Sequence, residues 1–123
     1  DSHKSEPIIF YLDMDVTEGK AESLDEFVKY LVGAVKKTEP NTMYYKYWIS
    51  KDKSKASLIE MYPNNEAALF HMNAFAVADH RDKFLETFTV TNFQVLGDTN
   101  DALKKAMIDY TTDHRQMMDG FKR

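Results

Sequence analysis

The apolar residues of this 123-residue chain switch between two spacings, and the order of the switches restricts the fold more than any other feature. Ile8 to Val16 (IIFYLDMDV) alternates, with Ile8, Phe10, Leu12 and Met14 on one face and Tyr11, Asp13 and Asp15 on the other, the pattern of a strand. Beyond Gly19 the spacing becomes helical through Leu24, Phe27, Val28, Leu31 and Val35. Pro40 ends that helix, because the residue before a proline is pushed out of the α region. Met43 to Ser50 (MYYKYWIS) and Ala56 to Tyr62 (ASLIEMY) read as two strands, and the short polar turn Asp52 to Ser54 makes them a hairpin. Pro63-Asn64-Asn65-Glu66 carries helix-start chemistry, an Asn cap with a carboxylate in the first turn. The helix behind it is expected to bury Ala67, Phe70, His71, Ala74, Phe75 and Ala78. Asp79 to Phe88 reads as a short helical piece and Thr89 to Leu96 as a fourth strand, stopped by Gly97-Asp98. Asn100 caps a last helix with Leu103, Ala106 and Met107 inward.

The resulting β-α-β-β-α-β order predicts an α+β, ferredoxin-like domain, with two helices over one face of a four-stranded antiparallel sheet. Residues 8–98 are assigned to this domain, 99–123 to a C-terminal helical extension packed on it, and 1–7 to a flexible N-terminal segment. A bare outer sheet face should be polar, yet the strands carry large apolar groups on both sides. If Tyr45, Tyr47 and Ile49 face the helices, Tyr44 and Trp48 face away, and the reverse assignment exposes the other set. Patches of this kind mark an interface or a ligand cavity. The expectation is a C2 homodimer, sheet against sheet, forming a dimeric α+β barrel.

Composition removes several classes of function. A net charge of -4 argues against phosphate-held nucleic acid, and no basic cluster marks a membrane surface. The absence of cysteine excludes disulfides, thiolate catalysis and cysteine-ligated zinc, and suits a reducing, cytoplasmic setting. The four histidines at positions 3, 71, 80 and 114 lack metal-ligand spacing, and no glycine-rich phosphate loop occurs. The expectation is therefore no cofactor and no metal. Asp13-Met14-Asp15-Val16-Thr17 imitates the Asp-x-Asp-x-Thr signature of a phosphatase class, but the chain is too short for that fold and carries no partner motif; a solvated strand end accounts for it.

The clearest chemical constellation is Glu60-Met61-Tyr62, then Asn64, Glu66 and His71. A glutamate inside an apolar strand has its pKa raised by desolvation, and an imidazole on a buried helix face can act as a base near neutral pH. A core histidine bonded to a backbone carbonyl and an edge glutamate paired with a lysine explain the same residues. Trp48 with Tyr44, Tyr45 and Tyr47 suits a flat aromatic ligand and equally suits dimer core. His80 falls near a helix end, where terminal carbonyls are its ordinary partners.

Glu39-Pro40-Asn41-Thr42, the tyrosine-rich strand through Trp48, Ser50-Lys51-Asp52 and Glu60-x-Tyr62-x-Asn64-x-Glu66-Ala67-Ala68-Leu69-x-His71 together resemble the antibiotic biosynthesis monooxygenase domain, of the quinol monooxygenase kind. The likeness spans roughly Ile8 to Val95. It implies cofactor-free oxygenation of a small aromatic such as a quinol or anthrone, with His71 as base or orienter, Glu60 as a second proton handler, and Trp48, Tyr44, Tyr45, Tyr47 and Tyr62 around the substrate. Met61 stands where that branch often has a basic residue. His80 after Ala78-Asp79 is similar to haem-degrading relatives, but the strand Asn and helix Trp of those enzymes have no counterparts. The family also holds isomerases and plain ligand binders, so a non-catalytic small-molecule binder is the alternative.

Overall fold

The computed structural model describes residues 7–123, so the expectation for the N-terminal segment falls, all but Pro7, outside the described residues. The elements run β1 (Ile8–Val16), α1 (Leu24–Thr38), β2 (Tyr44–Ile49), β3 (Lys55–Tyr62), α2 (Asn65–Ala76), α3 (Arg81–Thr87), β4 (Phe88–Leu96), α4 (Asp101–Met107) and β5 (His114–Arg115). The sheet order is β2-β3-β1-β4-β5, antiparallel except for the parallel β4–β5 pair. This is the ferredoxin-like α+β arrangement, in an open sheet.

The fifth strand corrects the expected four. It is two residues long, too short to show alternation, and is held by Val95 N–H to the Asp113 carbonyl at 2.9 Å and Gly97 N–H to the Arg115 carbonyl at 2.8 Å. Gly97 itself sits at φ +138°, and a Cβ there would come within 2.9 Å of the Ile8 side chain. Only glycine fits where the end of β4 passes the start of β1.

Alternation in β1 buries Ile8, Phe10, Leu12 and Met14, and β3 buries Ala56, Leu58, Glu60 and Tyr62 on the same face. Helix α1 lays Leu24, Phe27, Leu31 and Val35 over that face, each worth about 1.5–3 kcal/mol on full burial. The Asn64 side chain caps α2 by accepting the Ala67 N–H at 2.9 Å. The buried stripe of α2 runs through Ala67, Ala68, His71 and Met72. Phe70, expected inward, is 56% exposed. Because α2 packs on α4 as well as on β3, its inner face turns toward Ala68 and Met72, and Phe70 swings to solvent.

A bulge sets the wall of β4. Phe93 pairs with Leu12 and Val90 with Met14, with a register shift between. In an unbroken strand residues three apart lie on opposite faces; the extra residue returns Val90 to the inner face.

Candidate active site

Strand parity places Glu60 and Tyr62 side by side on the inner face, and Glu60 pairs across the sheet with Tyr45 on one side and Phe10 on the other. β3 is an interior strand, so Glu60 is not an edge residue. Above it α2 directs His71 inward. Pro40 ends α1 so that Glu39, its C-cap residue, folds under the helices with 6% exposure.

The three side chains form one row. Nδ1 of His71 lies 2.8 Å from Glu39 Oε1, and Nε2 lies 3.1 Å from Glu60 Oε1. The Thr42 hydroxyl donates to the same Glu39 oxygen at 2.9 Å. The Tyr62 hydroxyl donates to Glu60 Oε1. Thus His71 meets two buried carboxyl groups rather than a backbone carbonyl. Among the described residues, the Tyr62 hydrogen bond and the His71 ion-pair contact both fall on Oε1, so Oε2 is the oxygen left to meet another molecule.

Burial pushes the Glu60 carboxyl above its ordinary range, and the neighbouring imidazolium pulls it only part of the way back. For His71 burial opposes the charge, but Glu60 and Glu39 outweigh it, and its pKa rises. The row therefore sets an imidazole whose pKa is raised against a carboxyl whose pKa is also raised, a pair between which a proton can be passed. Burial also holds the Tyr45, Tyr47 and Tyr62 hydroxyls protonated, well above the usual phenol range.

A cavity of about 250 Å³ opens against this row. Glu60, His71 and Tyr45 contribute polar groups to its wall, most of the remaining lining is apolar and includes Phe10, Phe75, Phe84, Phe88 and Phe93, and Asp109 and Tyr110 join it from the segment after α4. Of the residues singled out from sequence, His71, Glu60, Tyr45 and Tyr62 come together here. Tyr47 lies one step behind, its hydroxyl 2.7 Å from that of Tyr45 and its ring stacked on Phe88. Tyr44 and Trp48 do not join them. Their partners across the hairpin are Met61 and Ser57, which places them on the outer face with the sheet between them and His71. Trp48 is 51% exposed.

Three contributors were not apparent from spacing. Glu39 carried a usable signal, a carboxylate directly before the helix-ending proline. Asp109 and Tyr110 carried none, since they follow the last helix. His80 precedes α3 without a side-chain cap bond and packs against Tyr30 and Phe75. Asp13 accepts hydroxyl bonds from Tyr11 and Ser57, and Asp15 pairs with Lys55, the solvated strand end expected there. Among the described residues no group of three His, Cys, Asp or Glu side chains is placed to hold a metal ion, and no helix is long and apolar enough to cross a membrane.

No protein-family model matches the chain, and no curated protein matches it. Solved structures do. MupZ from Pseudomonas fluorescens superposes with a TM-score of 0.82 at 14% identity, over 97% of this chain and 91% of that one. A protein of Bacteroides thetaiotaomicron, provisionally named an antibiotic biosynthesis monooxygenase, gives 0.55 at 14% identity, over 78% of this chain and 90% of its own. One of Deinococcus radiodurans with the same provisional name gives 0.57 at 15% identity, over 76% and 91%. At these identities the likeness establishes a shared fold, the one expected from the sequence motifs.

Proposed function

We propose that this chain is a proton-transfer enzyme for a small, largely apolar molecule, and that its reaction is cofactor-independent monooxygenation of an electron-rich aromatic. One observation carries the reading: an imidazole held between two buried carboxylates at the wall of an apolar cavity. Glu60 takes a proton from an activated C–H or phenol, and His71, anchored by Glu39, holds the Glu60 carboxyl in place and faces the substrate anion that forms. The substrate anion gives one electron to molecular oxygen. The two radicals join as a peroxide anion, Glu60 returns its proton to it, and loss of water with the second hydrogen of that carbon leaves a carbonyl. A dry pocket keeps the anion from being reprotonated by solvent. The fold shared with provisionally named monooxygenases supports the oxygen half of this reading.

The cavity volume of about 250 Å³ falls just under the usual ligand range of about 300–1,000 Å³. It favours a one- or two-ring quinol over a three-ring anthrone. A second copy of the chain is the natural cover for the outer face, where Ile9, Tyr44, Ile59, Met61 and Leu96 gather at one end of the sheet.

Oxygen uptake with a panel of quinols and anthrones tests the proposal. The expected result is turnover by the wild type that His71→Ala and Glu60→Gln slow by about 10²–10⁴-fold. A second reading, ligand binding without oxygenation, draws on the fact that both ring nitrogens of His71 are already engaged. It predicts saturable quinol binding with no oxygen consumed, and that outcome would replace the first.

A further inference from the structure

The wall supplied by the segment after α4 is not accounted for by the proton row. Tyr110 lines the same cavity as Glu60 and His71. Its hydroxyl oxygen accepts two bonds from Arg81, from Nε at 3.3 Å and from Nη2 at 3.1 Å. Its ring packs edge-on against Phe75, centroids 6.1 Å apart, and the guanidinium stands 5.9 Å from the centroids of both rings. A tyrosine hydroxyl has one hydrogen to give and two lone pairs to receive. With the guanidinium on the lone-pair side, Tyr110 can meet a molecule in the cavity only as a donor. The cation behind it also strengthens that donation by drawing electron density from the oxygen.

We propose that Tyr110, held by Arg81, is a substrate-contacting donor that binds an acceptor oxygen at the end of the molecule away from Glu60. The assignment rests on the proton-transfer reading and narrows its substrate class. The molecule carries an acidic hydrogen at one end and, in conjugation with it, a carbonyl or similar oxygen at the other. When Glu60 removes the proton, the electron pair left behind moves through the conjugated system onto that oxygen, where the Tyr110 O–H receives the charge. Charge develops where a fixed donor already waits, the arrangement that lowers such barriers most.

The test compares two one-ring probes by calorimetry, 4-hydroxybenzaldehyde, which has the far oxygen, and 4-ethylphenol, which lacks it. The wild type is expected to bind the aldehyde more tightly. Tyr110→Phe is expected to lose about three- to tenfold in aldehyde affinity, the worth of one hydrogen bond, with 4-ethylphenol unchanged. Arg81→Met, which leaves the hydroxyl in place, is expected to fall between. An aldehyde advantage that survives Tyr110→Phe, equal weakening of both probes, or no advantage in the wild type (including no binding of either) overturns the assignment. The absorbance of the bound aldehyde reports separately on Glu60. A phenolate band present in the wild type and absent in Glu60→Gln supports the base. A Tyr110-dependent advantage without that band keeps the donor and removes the proton transfer.

Discussion

On the inner face of β3, Glu60 is 4% exposed and bonded to His71 and Tyr62. One residue to either side, Ile59 and Met61 stand partly open on the outer face, beside Tyr44 and Lys46 of β2. The same two-residue alternation thus buries a charge on one side and leaves apolar groups wet on the other. Each is costly in isolation. The buried carboxylate is tolerated because a cation and a hydroxyl meet it, and the wet apolar groups because another surface can cover them. The proposed function assigns chemistry to the inner face and association to the outer one.

The sharpest way to break this contrast is at Glu60. Glu60→Gln keeps the shape and the Tyr62 contact, so it should slow turnover by about 10²–10⁴-fold with little change in melting temperature; oxygen uptake and thermal denaturation check both. Next, His71→Ala strands two buried carboxylates, and denaturant unfolding should show a loss of about 3–5 kcal/mol. On the outer face Met61→Asp should weaken self-association about tenfold or more by analytical ultracentrifugation, without moving the His71 imidazole resonances. A stable wild-type monomer would instead take away the outer half of the comparison. The smallest effect is in pH. Because the folded state raises the His71 pKa, its contribution is whole below the ordinary value of 6.5 and is lost as pH rises through the folded value. The gap in melting temperature between wild type and His71→Gln should therefore narrow above that pH. Glu60, also raised, acts in the same direction from its ordinary 4.5 upward.

Much of this was legible in the chain because it depends on local spacing. The period of β1, the α1 stripe, the hairpin, the Asn64 and Asn100 caps and the inward His71 all follow from residues a few positions apart. Strand parity in β2 was not legible, because Tyr44, Tyr45, Tyr47 and Trp48 offer rings to both faces, and only pairing with β3 decides that Tyr45 and Tyr47 point in. Phe70 was misplaced because its helix packs on two neighbours, which a single amphipathic stripe does not reveal. The bulge that returns Val90 inward, the two-residue β5 and the Arg81–Tyr110 pair all arise from contacts between distant segments. Glu39 lies between these cases. Its position before Pro40 announces a helix end, while its partner is 32 residues away.

The central claim is that His71 is held between Glu39 and Glu60, both of which favour its protonated form. Nitrogen-15 NMR of the His71 imidazole across a pH titration tests it most directly. The account predicts a midpoint above the ordinary 6.5, with both ring nitrogens protonated below that midpoint. A midpoint at or below 6.5 would contradict it.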